Sequence, residues 1–386
     1  MSGQSTESSG EGPRDATPVQ IDGSSGEGGG QILRTSLALA MLTGRPLEMS
    51  RIRAGRAKPG LRRQHLACVE ASARLCHAEV HGAHVGSQEL AFRPGPITGG
   101  VIEIDIGTAG STTLVVQTIL VPAIAAGVAL RAVIRGGTHN PLAPPFEFLE
   151  RVWLPHLRAM GADVRLTLDQ HGFASGGAPP DRSGAAHGPA HRAARTAEPA
   201  LGQLTLEVRA SGALQPLAWI DPGPIVARHA TAILSRLPTH VAEREHGVVQ
   251  QRLGFRRDEC TIREVRAAGP ANVLMLEIER ASGRELVTVH GEKGLRAEAV
   301  AERACDQLAP YLAAGVPVGE HLADQLLLPL AVAGGGRFRS LRPSLHTLTN
   351  IATIQAFLDV AIEVEDDGPA AVMITVGPPG SAADHL

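Results

Sequence analysis

Several features that usually announce a function are missing or scarce. The four cysteines in 386 residues, Cys68, Cys76, Cys260 and Cys305, make no Cys-x-x-Cys pair and no zinc spacing. That argues against a disulfide framework and for a reducing compartment, with the thiols expected as small core residues. An excess of positive charge is also absent: 36 Lys and Arg against 39 Asp and Glu leave a formal charge of −3, so no global basic field surrounds the molecule. Any contact with nucleic acid must be local. Lysine itself is nearly missing, with only Lys58 and Lys293, which marks two places where a compact ammonium does what a planar guanidinium would not. No uninterrupted apolar run is long enough to span a bilayer. Residues 1–18 are rich in Ser, Gly and Glu and carry neither an apolar run nor an Arg-rich amphipathic pattern, so they are expected to be a disordered tail on a cytoplasmic protein. No Gly-x-x-x-x-Gly-Lys-Ser/Thr string occurs, and neither lysine stands in a Lys-x-Asp-Gly context.

What is present is an ordinary globular composition, 43% hydrophobic, in a chain long enough for about two domains or one domain with an insertion. Short strands alternate with amphipathic helices from residue 19 to about 208, which predicts layered α/β structure. Leu33, Leu37, Ala40 and Met41 share one face of a helix over 31–43 that stops at Gly44. Leu66, Val69, Ala73 and Cys76 mark a second helix. Ile102, Ile104 and Ile106 alternate as a strand, after which Ser111 opens an apolar helix. Residues 173–202 read as a low-complexity linker. From 218 to 315 the pattern becomes a smaller α/β module, and helices are expected again over 320–333 and 347–358, with closing strands after them. No period of 20–50 residues stands out.

Three clusters can carry chemistry. Gly26-Glu27-Gly28-Gly29-Gly30-Gln31 opens the first helix; glycines let backbone approach a phosphate, free N–H groups favour an anion, and Glu27 can hold a divalent metal on it. It is not the dinucleotide fingerprint, because Gln31 stands where the last glycine belongs. The second cluster, residues 53–65, gathers Arg53, Arg56, Lys58, Arg62, Arg63 and His65 with interleaved glycines, the local anion patch that the net charge hides. In the third, His346 sits among hydroxyls and an amide between an expected strand and helix, a setting that suits a nucleophilic imidazole.

Together with Gly107-Thr108-Ala109-Gly110-Ser111, Gly136-Gly137-Thr138, Ala143-Pro144-Pro145, His240-Val241-Ala242-Glu243-Arg244-Glu245 and Gly319-Glu320-His321-Leu322-Ala323-Asp324-Gln325, these strings resemble the RNA 3′-terminal phosphate cyclase family over about 21–376. The resemblance implies a core of three repeated β-α-β-α-β-β units, like the enolpyruvyl transferase-like architecture, over 19–217 and 316–377, with a smaller α/β domain inserted at 218–315 and a tail at 378–386. It implies ATP-dependent cyclisation of an RNA 3′-phosphate, with His346 taking AMP and Glu27 holding Mg²⁺ or Mn²⁺. Pro144 and His321 would sandwich the adenine, Asp324 take the ribose, and Gln325 read the base edge. Gln117, Arg34, Arg53 and Gln64, with Arg56 and Lys58, would hold phosphates. The family usually has tyrosine where His321 stands, and Ala174-Ser175-Gly176-Gly177 replaces its usual Tyr-Pro-glycine run after His171-Gly172-Phe173. A non-catalytic relative acting as an RNA-binding or ribosome-assembly scaffold would lack the nucleophilic histidine, and a small-molecule transferase of the related fold would need no nucleotide pocket.

Overall fold

The computed structural model describes residues 17–173 and 201–380. Strand β1 (Val19–Asp22) runs into helix α1 (Gly30–Thr43) and then β2 (Leu47–Ser50), which pairs parallel to β1. Parallel neighbours need a crossover, and α1 supplies it. Helix α2 (Arg63–Cys76) leads to the hairpin β3 (Glu79–His81) and β4 (Leu90–Arg93), giving a sheet ordered β1-β2-β4-β3. The next segment places β5 (Gly100–Asp105), α3 (Thr112–Ala125), β6 (Leu130–Gly136), a π-helical turn at Phe148–Trp153 running into α4 (Leu154–Ala159), β7 (Val164–Gln170) and β8 (Gly202–Val208) in the order β5-β6-β8-β7. In both sheets the first two strands are parallel and the remaining pairs antiparallel.

The two-residue strand β9 (Ala218–Trp219) starts a third sheet that is completed only after a long excursion. That excursion holds β10 (Ile225–Ser235), α5 (His240–Leu253), β11 (Cys260–Glu264), β12 (Ala271–Arg280), β13 (Gly283–His290) and α6 (Ala297–Ala314), with a sheet of its own ordered β11-β10-β12-β13. The chain returns as α7 (Glu320–Val332), β14 (Gly336–Leu341), α8 (Leu345–Phe357), β15 (Val360–Asp366) and β16 (Ala371–Pro379), in the order β9-β14-β16-β15. Because β9 pairs parallel with β14, Ala218 and Trp219 belong to the third sheet.

Apolar side chains form two clusters. One, including Leu33, Leu37, Val115, Ile119, Trp153, Leu326 and Ile354, fills the space among the three similar sheets and also takes in Ile233, Val273, Met275 and Leu286 from β10, β12 and β13. The second, including Leu276, Val289, Ala304 and Leu308, lies under the β10–β13 sheet. Helix α1 is the hub, packing against α2, α3 and α8, so a helix near the C-terminus lies beside the first turn of α1. Of the cysteines, Cys68, Cys76 and Cys305 are buried as expected, whereas Cys260 is half-buried. Of the expected linker, residues 174–200 lie outside the described residues. Its ends are ordinary structure: Phe173 tilts against His139 with ring centres 5.1 Å apart, and Gly202 begins β8. The 1–16 and 381–386 parts of the expected tails also lie outside the described residues.

Candidate active site

The glycine-rich turn between β1 and α1 is shaped by contact with α8. Gly26 and Gly28 hold φ of 55° and 61°, the left-handed region that glycine enters freely. A Cβ on Gly26 would also meet Thr349 Oγ1 at 2.2 Å. That hydroxyl accepts the Glu27 N–H at 3.0 Å, which ties the turn to the first turns of α8. Helix α8 starts earlier than the apolar spacing predicts, because Ser344 caps it by accepting from the Thr347 N–H at 3.3 Å. His346 therefore sits in the first turn of the helix, not in a loop between strand and helix. Its side chain is 54% exposed, and Nε2 stands 3.9 Å from Glu27 Oε1.

Glu27 is 14% exposed. One carboxylate oxygen pairs with the Arg56 guanidinium, which also donates to the Glu27 carbonyl at 3.1 Å; the other, Oε2, is buried and has no partner among the described residues. An unpartnered buried carboxylate oxygen is costly unless something cationic or protic meets it. No group of three or more His, Cys, Asp or Glu among the described residues could enclose a metal ion. A single carboxylate can hold Mg²⁺, which keeps most of its ligands as water and phosphate oxygen.

Beside His346 opens a cavity of about 360 Å³. It brings Gln31, Arg34, Gln117, Pro144, His321, Asp324, Gln325 and His346 onto one surface, from α1, α3, the turn before the π-helical segment, α7 and α8. The polar groups bond to one another. Gln31 Nε2 donates to Asp324 Oδ1 at 2.5 Å, Gln31 Oε1 meets His346 Nδ1 at 2.6 Å, Gln325 Nε2 donates to Asp324 Oδ2 at 2.7 Å, and Gln117 Nε2 donates to Gln325 Oε1 at 2.6 Å. Burial pushes the Asp324 pKa up, opposed by His346, the Gln31 amide and Arg34. Behind them, Asn350 donates to the Asp324 carbonyl at 3.0 Å and Trp153 Nε1 to the Gln325 carbonyl at 3.1 Å, so α7 is clamped at both residues.

The basic segment 53–65 divides. Arg56 reaches Glu27 as described. Arg53 is turned into its own loop, donating to the carbonyls of Lys58 and Gly60 at 2.9 Å each, while Lys58 is exposed. Gln64 lies at the Gly110–Ser111 turn, its Oε1 3.5 Å from the Ser111 N–H. None of Arg53, Arg56, Lys58 and Gln64 lines the cavity itself. His65 does not belong with the cations: it is buried, accepts the Arg62 N–H on Nδ1 at 3.0 Å, and has its pKa driven down to about 3 by burial and by Arg34, Arg53 and Arg62. Its ring presses on Gly30, whose Cβ would meet Nε2 at 2.5 Å.

Two contributors escaped the sequence reading. Gln31 appears there only as the residue that spoils a dinucleotide motif, although its place three before Arg34 on one helix face was a usable signal. The separate α/β unit supplies a wall of the cavity through Leu286, Thr288 and His290 of β13 and Gln307 of α6. The alternation of those strand residues was visible; their destination was not.

An exposed imidazole beside a half-buried carboxylate, arginines and a helix start, at the mouth of a polar cavity in layered α/β structure, places the chain among enzymes that handle phosphate groups. The particular family follows from comparison with known proteins. A profile of the RNA 3′-terminal phosphate cyclase family matches residues 25–364. The RNA 3′-terminal phosphate cyclase of Ectopseudomonas mendocina is 47% identical over 347 residues, covering 89% of this chain and 94% of that protein. Those of Koribacter versatilis and Salmonella paratyphi C are 41% and 44% identical, covering 92% and 94% of this chain and 94% and 99% of theirs. The chain belongs to the RNA 3′-terminal phosphate cyclase family and is an enzyme of the ligase class. No helix among the described residues is long and apolar enough to cross a membrane.

Proposed function

We propose that this enzyme converts the 3′-terminal phosphate of RNA into a 2′,3′-cyclic phosphate in the cytoplasm, using ATP and an AMP group carried on His346. The supporting observation is the position of His346, whose half-exposed side chain lines the cavity with Nε2 3.9 Å from the Glu27 carboxylate. The three sheets of like strand order are read as repeats of an enolpyruvyl transferase-like core, and the β10–α6 unit as an insertion that walls its pocket.

A phosphate monoester cannot expel its own oxygen readily, so one oxygen must first become part of a good leaving group. Nε2 attacks the α-phosphorus of ATP; the N–P bond forms as the bond to pyrophosphate breaks. An oxygen of the RNA 3′-phosphate then takes the AMP and frees the imidazole. The neighbouring 2′-OH closes on the 3′-phosphorus, loses its proton and expels AMP, helped by an intramolecular effective molarity of about 10⁵–10⁸ M. Arg34, Arg56 and the N–H groups at the start of α1 neutralise charge on the phosphates, with Arg53, Lys58 and Gln64 around the rim. Pro144 and His321 flank the base, while Asp324, Gln325 and Gln117 are placed to exchange their mutual hydrogen bonds for bonds to the nucleoside. Glu27 is the group that would hold Mg²⁺ or Mn²⁺; the ion would supply positive charge to the phosphate oxygens.

Incubation with α-labelled ATP and Mg²⁺ is expected to label the protein, and His346→Ala to abolish the label. A 3′-phosphorylated oligonucleotide treated with the wild-type enzyme should resist phosphatase. Undiminished label on the alanine variant would place the nucleophile elsewhere.

A further inference from the structure

The cavity's polar groups form a directed chain whose direction decides which imidazole nitrogen can react. A primary amide donates only from nitrogen and accepts only through oxygen, and an ionised carboxylate only accepts. Both Asp324 oxygens face amide nitrogens, Gln31 Nε2 at 2.5 Å and Gln325 Nε2 at 2.7 Å. Gln31 must then turn its oxygen to His346, where it lies 2.6 Å from Nδ1. An oxygen acceptor at that distance requires the proton on Nδ1, and in a neutral ring this leaves the lone pair on Nε2. Nε2 is the nitrogen 3.9 Å from Glu27 Oε1. The opposite arrangement, with Asp324 protonated and the amide reversed, would put the proton on Nε2 and remove the nucleophile. Gln31 is buried, so no bulk water substitutes for its carbonyl, and Asn350 fixes the Asp324 backbone on one side while bonding Thr35 of α1 on the other.

We propose that Gln31 is a positioning residue for adenylylation: its carboxamide, oriented by Asp324, holds His346 in the tautomer with the lone pair on Nε2. The inference rests on His346 being the nucleophile. When the N–P bond forms and pyrophosphate departs, the ring becomes cationic with its proton still on Nδ1. The Gln31 oxygen then accepts from a charged donor, a bond about twice as strong as the neutral one. When AMP passes on, the electron pair returns to Nε2 and the ring is neutral again. The arrangement uses an amide where serine hydrolases use a carboxylate, so the ring is oriented without a full negative charge against Nδ1.

The test compares Gln31→Leu, which has no acceptor, with Gln31→Glu, which keeps an oxygen toward Nδ1 and, by holding a proton on its other oxygen, a donor toward Asp324. Single-turnover labelling by α-labelled ATP at saturating concentration should fall about 10²-fold or more in Gln31→Leu, since a mis-set tautomer costs about 10⁴ in serine proteases. The apparent KM for ATP should move less than about threefold, and Gln31→Glu should recover to within about tenfold of wild type. ¹⁵N spectra of histidine-labelled wild type, assigned by subtraction of His346→Ala, should show the neutral His346 ring protonated on Nδ1. Wild-type labelling rates in Gln31→Leu, rates in Gln31→Glu as low as in Gln31→Leu, or a wild-type ring protonated on Nε2 would each overturn the proposal. The nitrogen spectrum needs no variant at position 31 and decides the matter even if those variants fold poorly. Label surviving in His346→Ala would instead remove the nucleophile reading on which it rests.

Discussion

At the scale of single residues, the candidate site contains groups that hold other side chains in place. Thr349 is one. Its hydroxyl accepts from the Glu27 N–H and donates to the Leu345 carbonyl at 2.7 Å, so it couples the turn of Glu27 to the helix that carries His346. Thr349→Val keeps the volume and leaves that half-buried N–H without its acceptor, at a cost of about 1–3 kcal/mol. The expected result is a fall of roughly tenfold in labelling rate, since about 1.4 kcal/mol is tenfold, with Thr349→Ser near wild type. Equal rates in the Val and Ser variants would mean that the turn holds itself. Glu27 and His346 were legible as candidates from residue type and setting, and Asp324 only through the family strings. The relations among them were not, because Gln31 and His346 are 315 positions apart and only the packing of α1 on α8 brings them together.

At the scale of elements, the helix to watch is α7, which carries His321, Asp324 and Gln325. Its N-cap, Gly319, is wedged against β13. A Cβ there would meet Glu285 Oε2 at 2.1 Å, and the Glu285 carboxyl accepts the Gly319 N–H. Gly319→Ala must therefore displace the buried Glu285 carboxyl or the start of α7, an overpacking that costs about 1–3 kcal/mol. Since α7 and β13 form facing walls of the cavity, the apparent KM for ATP is expected to rise about tenfold while the rate at saturation changes less. Titration of labelling against ATP checks this, and a pure rate effect would contradict it. The apolar period of α7 was plain in the sequence, as were α1, α3, α5 and α6. The strands β2, β3 and β4 were not, because elements of three or four residues are too short to show alternation. The similar strand orders escaped notice for a related reason: each unit keeps only its pattern of pairing, and the third is split between β9 and α7 by the β10–α6 unit.

At the scale of the molecule, the two halves meet through buried titratable groups, and these set how stability varies with pH. Glu147, before the π-helical turn, bonds His139 at 2.7 Å and Arg263 of β11 at 3.3 Å; Glu277 of β12 takes Arg151 at 3.0 Å. Burial lowers His65 to about 3 and His156 and His290 to about 4, all from 6.5, so each is neutral in the folded state. The unfolded chain takes up those protons first; stability is complete above pH 6.5 and is lost as pH falls toward 4 and 3. For Glu147, burial acts to raise the pKa, but the bond to His139 and the charges of His139 and Arg263 outweigh it and hold the group at about 2, which extends the acid loss from 4.5 downward. Two carboxyls act in the opposite sense. Burial raises Glu245 to about 7, against the Asn272 bond, and Glu285 to about 8, with Glu320 adding to the rise. Their contributions are complete below 4.5 and are lost as pH climbs through 7 and 8. Between 4.5 and 6.5 the histidines and carboxyls oppose one another; above 6.5 only the carboxyls still titrate in this range, so the melting temperature should peak near pH 6.5 and decline on both sides. Glu285→Gln mimics the protonated carboxyl and has nothing to lose in alkali. Its melting temperature relative to wild type should rise steadily from pH 5 to pH 9, whereas a constant difference across that range would show that Glu285 is already ionised in the folded protein at pH 5.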